Sequence, residues 1–217
     1  MKPTRVRILD AADQLMRTIG LAHTTTKAIA RAAGCSEAAL YKHFESKSEL
    51  FVFVLKERMP QFAPLLVELE TGGPRDEDDI EETLVEIARQ TATFYASSFP
   101  IGASLFSDPV LLRRHAEELA ALNLGPHKPL DALTAYLGRQ RAAGRVRADA
   151  DLAAAAVLFL GACFHRAFMR SFAGDQPFMG PAAQPLDEFA AALTRTLLEG
   201  VREPGPPARP ARVRDED

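Results

Sequence analysis

Apolar residues recur every three or four positions through nearly every long segment of this 217-residue chain, and no stretch alternates convincingly at period two. Such a pattern lets helices pack on helices and offers no half-buried strand from which to start a sheet, so the chain is expected to be all-α. Glycines and capping residues then cut it into lengths. A first helix is expected from about Arg5 to Ile19, with Ile8, Ala12, Leu15 and Ile19 along one face, Leu9 and Met16 widening it, and Gly20 as its stop. A short second helix follows in "TTTKAIARAAG", turning inward with Ile29 and Ala33 and ending at Gly34. A third is shorter still, Ser36 to about His43, with Ser36 as its N-cap. Three helices of these lengths joined by glycine-containing turns match a helix-turn-helix unit.

The remainder reads as six more helices, about nine in all. The fourth opens on the capping-box pattern Ser46-x-x-Glu49, and Pro60 and Pro64 should kink it or end it early. A fifth is expected from about Glu77 to Ser97, and a sixth from the Asp108-Pro109 cap to about Leu122. A seventh closes at Gly144, an eighth spans about Asp151 to Phe172, and a ninth runs from Leu186 to about Glu199. The eighth is apolar nearly all round over its first three turns, as in a helix buried in a core or a subunit interface. Its longest apolar run, Leu152 to Phe164, is short for a membrane span, so no membrane partner is expected. The N-terminus shows no signal-peptide pattern, and Cys35 and Cys163 form no disulfide framework, which together suggest a reduced, cytoplasmic setting.

Charge is unevenly spread. Residues 1–60 hold ten Lys/Arg against six Asp/Glu, a net +4, and the overall −3 therefore leaves −7 on residues 61–217. A basic front on an acidic body points the front toward something anionic. The front also carries the parts a helix-turn-helix uses on DNA: hydroxyls and cations for phosphates, and side chains at the start of the second helix of the motif for base edges. Thr25, Thr26 and Lys27 open the second helix, Ser36 caps the third, Tyr41, Lys42 and His43 end it, and Lys47 enters the fourth. Each alone has a plainer reading as a cap or a solvated side chain; the joint spacing is what carries weight.

That spacing resembles the DNA-binding domain of the tetracycline-repressor (TetR/AcrR) type of bacterial transcriptional regulators. The likeness runs closely from Arg5 to Leu55 and rests on Ile8, Ala11-Ala12, Gly20, Thr25-Thr26, Ile29-Ala30, Ala33-Gly34, Leu40-Tyr41-x-His43-Phe44 and Lys47-x-x-Leu50. Beyond Leu55 it is architectural, with local similarity in "GRVRADAD" and "LFLGACFHRAF". The resemblance implies a helix-turn-helix head at residues 1–48 and a helical ligand-binding and dimerisation body at 49–203; the tail at 204–217 has too little apolar content to fold and is expected to be disordered. It implies phosphate contacts from Thr25, Tyr41, His43 and Lys47, with Lys27, Ser36, Glu37, Ala38 and Ala39 approaching bases. Ala38 and Ala39 depart from members with polar groups there. They can at most meet a thymine methyl, which moves base reading to Lys27, Glu37 and Lys42.

The resemblance further implies a homodimer on a pseudo-palindromic operator, joined through a four-helix bundle built from the last two helices of each protomer. Ala153, Ala156, Leu160, Gly161, Phe164 and Phe168 on the eighth helix and Phe189, Leu193 and Leu197 on the ninth are the candidates, and completing a monomer core is their other use. It also implies a small-molecule pocket among the central helices. Phe62, Phe94, Tyr95, Phe99, Phe106, His127 and Tyr136 could line one, or could be plain core. No cofactor or metal site is expected: Cys163 and His165 sit two apart on a helix, facing apart, and no His-x-x-x-His or Glu-x-x-His pair occurs. An enzyme is therefore not expected. An architectural DNA-binding protein, or an activator, without a ligand switch is the alternative, and the acidic body argues against the architectural form.

Overall fold

A computed structural model describes residues 2–58, 62–173 and 183–199. Among them stand ten α-helices and no strand: α1 (Thr4–His23), α2 (Thr26–Ala32), α3 (Glu37–Tyr41), α4 (Lys47–Arg58), α5 (Phe62–Thr71), α6 (Ile80–Gly102), α7 (Pro109–Ala121), α8 (His127–Ala142), α9 (Leu152–Ala173) and α10 (Leu186–Glu199). Short 3-10 turns at Pro74–Asp76 and Ala103–Ser107 flank α6. The expected fourth helix is two, α4 and α5. Pro60 falls outside the described residues, whereas Pro64 sits in the first turn of α5, where a missing N–H costs no helical bond. The expected fifth helix runs five residues past Ser97 to Gly102 and carries Pro100 inside it.

α1 holds helical geometry up to Gly20, where the backbone turns to φ 78°, ψ 161° before one more turn reaches His23. Only glycine adopts that conformation readily, so the expected stop is a kink within the element. Ile8, Leu9, Ala12 and Met16 are buried, but Ile19 is exposed, in contrast to its expected place on the inner face. The helix rotates its buried stripe toward Leu9 and Met16, which leaves Ile19 on the outer edge.

Two apolar clusters organise the chain. The first, in a head formed by α1 to α4, gathers Ile8, Met16, Ile29, Leu40, Phe44 and Leu50. Ile101 at the end of α6 and Leu105 in the following turn complete it. The second fills the body, where α5, α6, α8, α9 and α10 enclose Leu84, Ile87, Leu133, Tyr136 and Phe159. α6 therefore serves both cores. α9, at 22 residues, is long and apolar enough by length and composition to cross a membrane, longer than the run the sequence suggests. It packs along α6 with Ala156, Phe159, Leu160 and Cys163 buried.

Candidate nucleic-acid interface

The site begins with two caps. Thr25 Oγ1 accepts from the Ala28 N–H at 3.1 Å, and Ser36 Oγ accepts from the Ala39 N–H at 3.1 Å, so each hydroxyl fixes the first turn of its helix. Between the helices Gly34 takes φ 64°, the left-handed turn that aims α3 away from α2. Leu40 and Phe44 are fully buried and pin α3 and the turn after it to the head core; truncating either to alanine would cost about 2–5 kcal/mol. Arg5 covers that core from outside, its guanidinium 5.5 Å from the Phe44 ring centroid and 4.9 Å from that of Phe53.

Burying Leu40 and Phe44 turns their neighbours outward. Lys27, Ala38, Tyr41, Lys42 and His43 are exposed. Thr26 Oγ1 donates to Glu37 Oε1 at 2.5 Å and lies 3.3 Å from the Tyr41 hydroxyl. With the single Thr26 proton committed to the carboxylate, the tyrosine O–H is the donor of the longer contact. Thr26 thus ties α2 to both ends of α3. Arg31 stands one turn after Lys27 on the exposed side of α2, and with Thr25, Lys27, Ala28 and Ala32 it borders a shallow groove. The sequence reading missed Arg31, although its i+4 spacing from Lys27 could have revealed it.

Lys47, expected on phosphate, makes its contacts within the head. Its Nζ donates to the carbonyls of Leu21, Ala22 and Thr24 at 2.9, 3.4 and 3.1 Å, closing the last turn of α1. The ammonium thereby holds the α1–α2 junction. Burial lowers its pKa, with Asp108 opposing and Arg114 adding to the shift. The same corner is tied to the body at two further places. Ser104 Oγ accepts from the Ala22 N–H at 2.9 Å. On α7, Glu118 Oε2 accepts from Ser46 Oγ at 2.9 Å, and buried His115 places Nδ1 3.0 Å from Ser48 Oγ. Ser48 thus bridges α4 to the buried ring of α7. Burial lowers the pKa of His115, against a smaller opposing effect of Glu118 and a reinforcing one of Lys47. The Glu118 carboxyl is raised by burial, but its hydrogen bonds from Ser48, Ser46 and Arg114 outweigh this and hold it low.

In the body, an unbroken row of rings joins three helices. Phe62 stacks on Phe94 at 4.2 Å, Phe94 touches Tyr95, and Tyr95 meets Phe164 edge-on at 5.4 Å. Phe99 contacts both Phe164 and Phe168, and Phe168 stacks on Phe172. Burial pushes the Tyr95 hydroxyl up to about 12, aided by Cys163. Three expected pocket residues do not join the row, Tyr136 among them; of the other two, Phe106 is 73% exposed in the turn after α6, and His127 is exposed at the start of α8. Both lie at element ends, where helical periodicity no longer dictates facing. Tyr136 is fully buried on α8 in the body core.

The residues expected at a subunit contact also separate. Ala156 and Leu160 are buried within the protomer, and Phe189, Leu193 and Leu197 pack against its body core. Ala153, Gly161, Phe164 and Phe168 remain exposed, joined by Val157, Leu158 and Phe172, which the sequence reading missed. Positions 153, 157, 161, 164, 168 and 172 fall three or four apart, so they form one outward stripe of α9. Cys163 is buried, its thiol pushed up to about 12 by that burial, while His165 is exposed. Among the described residues no group of three or more His, Cys, Asp or Glu side chains could hold a metal ion.

A capped helix pair presenting hydroxyls and cations on a helical body defines a helix-turn-helix transcriptional regulator. Comparison with known proteins places it further: residues 8–53 match the bacterial regulatory proteins of the tetR family, and residues 82–199 match the C-terminal domain of AefR-like transcriptional repressors. The chain belongs to the TetR/AcrR family of regulators. It is 28% identical over 197 residues to YvkB, an uncharacterized HTH-type transcriptional regulator of Bacillus subtilis (strain 168), covering 91% of this chain and 98% of that protein. Among solved structures it resembles Salmonella enterica GusR at a TM-score of 0.64 and 25% identity, covering 91% of this chain and 94% of GusR. It also shares its fold with a transcriptional regulator FadR from Bacillus subtilis in complex with stearoyl-CoA, at a TM-score of 0.63 and 17% identity, covering 91% and 99% of the two chains.

Proposed function

We propose that the protein is a homodimeric, cytoplasmic repressor with no enzymatic activity that grips a pseudo-palindromic operator and releases it on binding an apolar small molecule. The grip comes from Thr25 and His43 on phosphates, joined by Tyr41 once its O–H exchanges the 3.3 Å contact with Thr26 for a phosphate oxygen, with Arg31 adding positive charge, while Lys27, Ser36, Glu37, Ala38, Ala39 and Lys42 face the bases. The head extends over residues 1–48 and the ligand-binding and dimerisation body over 49–203, although Leu50, Phe51 and Val54 of α4 contribute to the head core. The tail assigned to 204–217 lies outside the described residues.

The observation that carries the dimer is the α9 stripe. Phe172 is 71% exposed and Leu158 70% exposed, and with Val157, Phe164 and Phe168 they make an apolar face of the kind a second copy would cover. Two-fold pairing doubles the phosphate contacts, which one head supplies in small number. The aromatic row supports the effector reading: it offers apolar wall from α5 to α9 along α6, the helix whose far end enters the head core. FadR, which shares the fold, is seen with stearoyl-CoA, an apolar chain on a polar carrier. A ligand wedged among Phe99, Phe164 and Phe168 would shift α6 and with it Ile101 and Ser104 against α1.

Selection of bound fragments from the source genome tests the reading directly. An inverted repeat with half-sites about one helical turn apart is expected. A single unrepeated site, or no enrichment, would overturn it. Loss of binding on adding an acyl-CoA or another apolar ligand tests the switch, and retention of binding across all tested metabolites favours the form without one.

A further inference from the structure

We propose that Glu37 reads the 4-amino group of a cytosine, and so fixes one C·G pair in each half-site. This rests on the DNA-binding reading above and adds the chemistry of its specificity. Glu37 is the first residue of α3, the helix whose N-terminal end approaches base edges. Its companions there cannot read: Ala38 and Ala39 lack hydrogen-bonding side chains, and Leu40 is buried. The Ser36 hydroxyl accepts from the Ala39 N–H and keeps its own O–H to donate, so it suits base acceptors. At the start of α3 the one group that can only accept, and so suits a base amine, is the Glu37 carboxylate.

A carboxylate on a surface that meets phosphates is repelled unless it accepts hydrogen bonds. Here Thr26 holds one oxygen, Oε1, at 2.5 Å, and that hydroxyl is in turn within 3.3 Å of Tyr41. Among the described residues Oε2 has no partner. The brace removes rotamer freedom before binding, so less entropy is lost when Oε2 finds a donor. Exposed Lys27 and Lys42 flank the segment and offset the carboxylate's charge. In the major groove the exocyclic amines of cytosine and adenine are the donors. Adenine sets its N7 acceptor beside N6, which suits an amide that both donates and accepts. Cytosine carries N4 without a neighbouring acceptor, which suits an oxygen that only accepts. The braced oxygen matches cytosine.

The test uses full-length protein on its selected operator, with each conserved-register cytosine replaced in turn by pyrimidin-2-one, which lacks the 4-amino group. Wild type should lose about tenfold in affinity at one position per half-site. Glu37→Ala should bind the normal and substituted operators within about twofold of each other. Glu37→Gln should move the preference at that position toward adenine. Thr26→Val, which removes the brace and leaves Glu37, should retain cytosine preference at a reduced ratio. Indifference of wild type to every substitution, or an undiminished penalty in Glu37→Ala, would overturn the assignment. Because the base substitution is made on wild type, a variant that misfolds leaves the decisive comparison intact. Failure of wild type to bind any DNA would instead defeat operator binding itself.

Discussion

Gly20→Ala should be among the most damaging single-methyl additions in the head. The residue sits at φ 78°, ψ 161°, a region open essentially to glycine alone, and forcing alanine into it costs about 1–3 kcal/mol. The new Cβ would also stand 2.6 Å from both Cβ and Oγ of Ser104, closer than real carbon contacts allow. Ser104 cannot simply retreat, because its Oγ accepts from the Ala22 N–H at 2.9 Å and donates to the Ile101 carbonyl at 3.3 Å. Losing the first of these strands a half-buried N–H, worth a further 1–3 kcal/mol or so. The two effects together come to about 2–6 kcal/mol. For a chain of this size each kcal/mol moves the melting temperature by about 2–4 °C, so a fall of about 4–24 °C is expected in a thermal melt. Ser104→Gly alone strands the same Ala22 N–H and should cost about 1–3 kcal/mol. In the double variant the clash is gone and the backbone strain stays, so it should be less stable than Ser104→Gly by about 1–3 kcal/mol and show clear non-additivity. A Gly20→Ala melt within about 1 °C of wild type would refute the reasoning. So would strict additivity, since it would mean that the two side chains never meet.

Other consequences follow from the same geometry. Lys47→Ala should weaken operator binding through the α1–α2 junction while leaving the salt dependence nearly unchanged, whereas Arg31→Ala should reduce the slope of log affinity against log salt by about 1; equal slopes for the two variants would return Lys47 to the phosphate contacts. Phe168→Glu on the α9 stripe should give a monomer in sedimentation at micromolar concentration, and an unchanged dimer would move the interface elsewhere. His115 has a folded-state pKa below its ordinary value of 6.5, so the unfolded chain takes up the proton first and stability is lost as pH falls from about 6.5 through the lower folded value. Melts between pH 8 and pH 5 should show that loss in wild type and a smaller one in His115→Asn, whose amide can donate to Ser48 without titrating; identical profiles would remove His115 from the effect.

The sequence by itself determined the helical class, the caps at Ser36 and Asp108, and the breaks at Gly20 and Gly34. These depend on residues three or four apart, or on one backbone conformation, and such local rules are written in the order of the letters. Tertiary structure decided what each polar or apolar side chain meets across distant elements. Lys47 looks like a surface cation in sequence, and only the return of α1 brings three carbonyls to its ammonium. Ala156 and Leu160 share a helix with Phe164 and Phe168, yet the packing of α9 on α6 buries the first pair and leaves the second exposed, because a helix apolar on all sides carries no mark of which side meets its own core. Phe106 and His127 left the aromatic group for a different reason: they sit at element ends, where helical periodicity no longer sets the facing. The brace from Thr26 to Glu37 joins residues eleven apart on two helices, and it exists only because the Gly34 turn sets α3 across α2.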